Sequence, residues 1–251
     1  GKIMGILSSV KGFFGRAGRF ISAGLSQLFG LGFELTHRLP GLFGFFDYIF
    51  GWIGIRPKQK LYLRVVVLVE GSSPIVADLD AVYSIINEAK SIFLSQANVE
   101  IVPAVGSILS ISPYPAPSAV LEVECGTDFW EDDFGEAGEF FRLHTVDMPL
   151  RSETGYGSPI TAFIVKRIRG DGGLRSGCSM TFFEDYLLVS LPISPSRVLA
   201  HELAHTCGLS PIDSLHSSAN NNLMNIDDLD GDKLTNYQAA RLRNSPHVTY
   251  Y

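Results

Sequence analysis

The sequence predicts a mixed α/β fold of the α+β kind, and three observations carry that reading. β-branched runs of strand length recur from Leu61 onward. A long helical pattern at 78–97 separates the first run from the rest, and a second helical pattern at 198–208 follows the last. An order of strand, helix, strands, helix suits a sandwich in which helices cover a sheet. An apolar fraction of 46% with 11% aromatics is ample for its core.

The net charge of −6 is unevenly spread. Residues 1–60 carry eight Lys and Arg against Glu34 and Asp47, a net of +6, whereas 61–251 carry twelve basic and twenty-four acidic residues, a net of −12. Arg56-Pro57-Lys58-Gln59-Lys60 is a polar, proline-containing break between them. The chain therefore reads as a basic, apolar-rich N-terminal region at 1–58 and a body at 59–251. The acidic body, and the lack of a recognition motif in the basic part, argue against a nucleic-acid partner.

In the N-terminal region, Ile3, Leu7, Val10, Phe14, Ala17, Ile21, Leu25 and Leu28 fall at steps of three and four, one face of a helix. Gly5, Gly12, Gly15, Gly18 and Gly24 weaken such a helix on its own. The second apolar block, GLFGFFDYIFGWIGI at 41–55, is too short and glycine-rich to span a bilayer. Three roles fit: contact of residues 1–55 with a membrane surface, a pro-segment over an active-site cleft, or helices packed on the body or a partner chain. No cysteine precedes Cys125, so a pro-segment would have to cap a metal with Glu34, His37 or Asp47. Lys11, Arg16 and Arg19 interrupt any apolar signal-peptide core; the compartment stays open, with membrane association and export both compatible.

In the body, residues 61–70 (LYLRVVVLVE) form a strand. Residues 78–97 have helical spacing at Val82, Ile85, Ile86, Ala89, Ile92 and Phe93, with Asp78 or Asp80 as N-cap. Short strands follow at 99–105 and 120–125, the latter after a proline-rich turn, and 126–151 is acidic and irregular with a helix near 135–142. Residues 161–168 (TAFIVKRI), 177–183 (GCSMTFF) and 186–191 (YLLVSL) complete the strand set. Ser196, or Ser194 before Pro195, then caps a helix running through Val198, Leu199, His201, Leu203 and His205 to Gly208. Cys125, Cys178 and Cys207 form no CxxC pair and no framework, so at most one disulfide can form. Cys207 lies two positions off the ligand face of that helix and reads as a small buried residue.

That last helix carries the chemistry. His201 and His205 are four apart, which stacks both imidazoles on one face about one turn apart, where they can share a metal ion. Glu202, next to the first, is placed to act on water at the metal rather than to bind the metal. A catalytic zinc site takes three protein ligands. Glu202 is the last glutamate in the chain, so a thermolysin-like plan with a distal Glu is excluded. Asp213, His216, the aspartates of 227–232 and His247 remain.

His201, Glu202, His205 and Gly208 match the HExxHxxG part of the metzincin metallopeptidase signature, and Met224 matches its methionine turn. Over roughly 160–224 the chain resembles that family. Residues 161–168, 177–183, 186–191 and the active helix follow its order of central strand, edge strand, strand and helix. Residues 61–160 are compatible without a signature of their own, and 1–60 are outside the resemblance. It implies a five-stranded mixed sheet with a backing helix and an active-site helix. Gly208 suits the end of that helix, where φ > 0 turns the chain back towards the metal. The chain departs at Pro211, where the family has its third ligand. His216 comes five residues later and precedes Met224 by eight, close to the spacing in matrix-metallopeptidase-like members. It is the implied third ligand, with Asp213 as the alternative. Ile226 stands where astacin-like members have a tyrosine ligand, so none is expected.

The resemblance implies a zinc-dependent endopeptidase with Glu202 as general base and Met224 beneath the metal. An extended peptide would pair with the edge strand at 177–183, beside Ser179 and Thr181. Two other classes stay open. One is a membrane-interacting or partner-binding protein whose zinc domain is scaffold or inactive. The other is a metal-dependent hydrolase of non-peptide substrates. After Met224, NIDDLDGDKLT invites a calcium reading, but Ile226 falls at the first ligand position of that motif. It reads instead as a solvated turn before a helix opened by a Thr235–Gln238 capping box.

Overall fold

The strand β1 (Gln59–Val69) is the axis on which the sheet is built. Its nearly continuous Leu and Val run is buried on both faces, as in a strand with parallel neighbours and a packed layer on each side. The computed structural model describes residues 49–51, 53–71, 75–125, 136–146, 157–170, 172–179, 185–191, 196–209, 221–225 and 231–250. The amphipathic pattern at 3–28 and most of the apolar block at 41–55 lie outside them. No helix among the described residues is long and apolar enough to cross a membrane.

After β1 come α1 (Leu79–Ala97), β2 (Val99–Pro103), β3 (Leu109–Pro115), α2 (Ser118–Leu121), β4 (Glu122–Glu124) and α3 (Glu136–His144). There follow β5 (Ile160–Val165), β6 (Arg167–Gly170), β7 (Gly173–Arg175), β8 (Gly177–Ser179), β9 (Tyr186–Ser190), α4 (Val198–Thr206), α5 (Asn236–Arg243) and β10 (Val248–Thr249). The mixed α/β class is as expected. The large sheet runs β10-β1-β5-β9-β8, with β2 and β3 also on β1. β1 is long enough to hold two neighbours end to end on each edge: β2 then β3 on one, β10 then β5 on the other. Among the described residues seven strands therefore fill five lateral positions, parallel except for β10 and the edge strand β8.

Three local expectations need correcting. Only part of the proline-rich segment turns: Leu109–Pro115 pairs with β1 as β3, because an outer strand tolerates the missing N–H of Pro113 and Pro115. Residues 120–125 are not one strand; Val120 and Leu121 close the helical turn α2, and β4 joins a separate sheet, β4-β6-β7. The run at 161–168 is broken at Lys166, whose N–H bonds to Leu121 O at 3.0 Å as the chain crosses from one sheet to the other. Near the end of the chain, β10 returns to pair with Lys60 and Leu61.

α1 forms where expected, with Asp78 rather than Asp80 as N-cap; its side chain accepts from Asp80 N at 3.2 Å. Alternation along β1 divides the core. Leu61, Leu63, Val65 and Val67 pack towards α1 and α4, while Val66 and Leu68 pack with Phe141, Phe163, Ile168 and Tyr186. Val82, Ile85, Ile86, Ile92 and Phe93 bury the face of α1. Each contributes about 1.5–3 kcal/mol by leaving water. The boundary residue Arg56 is tied to the body, donating to Asn236 Oδ1 at 2.7 Å, and its carbonyl accepts from Asn98 Nδ2 at 2.6 Å.

Candidate metal centre

The first two candidate ligands sit on α4, which packs against α1, β8 and β9. Its N-cap is Arg197, not Ser196 or Ser194, and no side chain caps it. Its end is as expected. Gly208 takes φ +96°, open to glycine at no steric cost, and Leu209 N then reaches Ala204 O at 3.0 Å.

That turn brings the Leu209 carbonyl to Nδ1 of His205, while Nδ1 of His201 lies 2.8 Å from Leu223 O. A carbonyl only accepts, so each Nδ1 carries a ring proton, and in the neutral imidazoles each Nε2 then carries a lone pair. The two Nε2 atoms stand 3.1 Å apart, with the rings at 89°. Two lone pairs so close repel unless a cation lies between them. A tetrahedral ion with bonds of about 2.0–2.1 Å would set them roughly 3.4 Å apart, so the pair fits a divalent metal with little movement. Backbone carbonyls behind the imidazoles are the usual device for orienting such ligands.

Among the described residues no third His, Cys, Asp or Glu completes a metal-binding group. His216, Asp213, Pro211 and Thr181 lie outside them, as do Asp227, Asp228 and Asp230. His247 is engaged elsewhere, its Nδ1 3.0 Å from Ser158 O and its Nε2 3.9 Å from Asp185. Cys207 is buried as expected, and burial pushes its thiol up to about 12.

Glu202 is buried against β8. Burial raises its carboxyl to about 8, with the Ser179 hydroxyl and the Arg175 charge offsetting part of the rise. Ser179 Oγ itself closes no well-formed hydrogen bond among the described residues. A carboxyl tuned towards neutrality suits a group that takes a proton and gives it back. Gly177 makes the room for it. A Cβ there would stand 2.5 Å from Oε1, 2.6 Å from Cγ and 2.8 Å from Cδ of Glu202. Gly177→Ala should therefore push the carboxyl aside, a displacement that for a carboxyl acting as general base lowers kcat by up to about 10²-fold. Metal content should not change, so peptide assays paired with metal analysis check the prediction.

Met224 is fully buried in the turn that supplies Leu223 O, and its N–H donates to Asn222 Oδ1 at 2.9 Å. Asn222 in turn exchanges two hydrogen bonds with the Gln238 amide, at 2.9 and 3.2 Å. Gln238 also closes the expected capping box, accepting from Thr235 N at 2.9 Å. One glutamine thus couples the start of α5 to the methionine turn.

No protein-family model matches this chain, and a search of curated proteins finds no match either. Three residues at the centre escaped the sequence reading in their roles. Gly177 acts through a contact distant in sequence and leaves no local signal, whereas Asn222 combines a distant partner, Gln238, with a local Asx-type bond to the N–H two residues on. Arg197 left one, lying four residues before His201 and eight before His205 on the same helical line.

Proposed function

We propose that the protein is a zinc-dependent endopeptidase of the metzincin type, with His201, His205 and His216 as ligands and Glu202 as general base. The observation that carries this is the convergence of two Nε2 lone pairs at 3.1 Å next to a buried carboxyl raised to about 8. The succession of central strand β5, antiparallel edge strand β8, β9 and α4 supports the family reading, being the order the resemblance calls for.

Zinc, when bound, supplies a Lewis acid that polarises the scissile carbonyl and acidifies the attacking water. The side chains do the rest. His201 and His205, oriented by their carbonyls, hold the ion from α4, and His216 completes the set. Glu202 accepts the proton of the attacking water and passes it to the leaving amine. β8 ends the large sheet among the described residues, so its outer edge can pair with an extended peptide, with Ser179 and Thr181 beside it.

Metal analysis of native protein, His216→Ala and Asp213→Ala, together with cleavage of a mixed peptide library, tests this. We expect one zinc per chain, loss of zinc in His216→Ala alone, and library cleavage by the native protein. Loss in Asp213→Ala instead would move the third ligand there. Zinc binding without cleavage of any peptide would favour a non-peptide hydrolase, and a native protein that takes up no zinc would sink the proposal.

A further inference from the structure

We infer that Arg197 is a positioning residue for the metal site, holding the Leu223 carbonyl that orients His201; this rests on the metal reading above. Arg197 is only 4% exposed, although it stands at the very start of α4, where a cation meets the unfavourable end of the helix dipole. Its guanidinium bridges the methionine turn. Nη1 donates to Leu223 O, and Nη2 donates to Asn225 O at 2.6 Å. Leu223 O also accepts from His201 Nδ1 at 2.8 Å. The carbonyl has two lone pairs, and the guanidinium and the imidazole can take one each.

The covalent path closes the same loop. His201 N donates to Arg197 O at 3.0 Å, so the two residues are joined one helical turn apart. Helix turn, guanidinium, carbonyl and imidazole therefore form a ring. The ring leaves His201 one tautomer and one orientation, with Nε2 towards Nε2 of His205. The planar fork matters here. It reaches two carbonyls two residues apart from one rigid group, which an ammonium on a flexible stem does not do. Asn222 and Gln238 also shape the same turn, but the bonds between them do not engage Leu223 O. Besides the His201 ring itself, Arg197 links the turn to the helix that carries the ligands through that atom.

The test compares native protein with Arg197→Lys and Arg197→Met. The readouts are zinc affinity by chelator competition, the absorption spectrum of bound Co²⁺, and the histidine ring ¹⁵N spectrum of the metal-free native protein. Both variants should bind zinc roughly 10–100-fold more weakly. Their cobalt spectra should shift, since a turn that had merely loosened elsewhere would leave the ligand field alone. In the native protein His201 should be the Nδ1–H tautomer. Zinc affinity within twofold of native and an unchanged cobalt spectrum in either folded variant would overturn the inference. So would an Nε2–H tautomer for His201 in the native protein, a readout that survives if neither variant folds. A native protein that binds no metal fails the zinc reading itself, whereas native binding with unaffected variants fails only the role of Arg197.

Discussion

Glu202→Gln should lower kcat for peptide cleavage by roughly 10²–10⁴-fold and leave one zinc per chain in place. The amide matches the carboxyl in size, so the fit against Gly177, where a Cβ would lie 2.5 Å from Oε1, is kept. What is lost is the ability to accept a proton. Glu202 is not placed as a ligand, and His201 and His205 keep their own carbonyl partners, so zinc affinity should barely change. The same substitution predicts a pH effect in the metal-free protein. The folded carboxyl titrates at about 8 against an ordinary 4.5, so between those values the native state holds a proton that the unfolded state has released. Stability from this group is full below about 4.5 and is lost as pH rises towards 8. Metal-free Glu202→Gln should lack that loss, and melting temperatures of the two apoproteins from pH 4.5 to 8 would show it. Undiminished cleavage by Glu202→Gln would remove the general base from the mechanism, whatever the metal content.

The contrast between Glu202 and Gly177 shows what could be read from residues alone. The HExxH spacing is a local pattern, and one helix is enough to place both imidazoles and the carboxyl relative to each other. α1, its Asp78 cap, the buried run of β1 and the Thr235–Gln238 capping box are local in the same sense, and all of them are found. The misses are tertiary. Pro113 and Pro115 signal a turn, and only an outer position beside the long β1 lets that segment pair as a strand. Ser196 is a better cap than Arg197 by propensity, yet the helix starts at the arginine whose guanidinium spans two carbonyls of the methionine turn. Gly177 looked like the first residue of an edge strand. Its requirement for hydrogen in place of a side chain comes from Glu202, twenty-five positions later in the chain.

The double substitution Cys125→Ser with Cys178→Ser should lower the melting temperature by about 10 °C. Three scattered cysteines left the pairing open, and the structure joins Cys125 to Cys178 across a sequence separation of 53. A loop of that length loses about 4 kcal/mol of unfolded-state entropy when it is closed, and in a chain of this size each kcal/mol moves the midpoint by roughly 2–4 °C. The bridge ties the end of β4, in the small sheet, to β8 at the edge of the large one. Along β8 the neighbours of Cys178 are Gly177, which touches Glu202, and Ser179, whose hydroxyl lowers the Glu202 carboxyl, so the cross-link sits on the opposite face of the strand that backs Glu202. Activity should therefore fall with the bridge removed even where the protein stays folded, and by less than in Gly177→Ala, because β8 keeps its pairing with β9. Thiol titration separates the causes. Unfolded without reductant, the native protein should show one thiol, that of Cys207, and after reduction all three. A double variant that melts within about 2 °C of native would mean that β4 and β8 are held together by packing alone, and that the cross-link adds nothing to the strand behind Glu202.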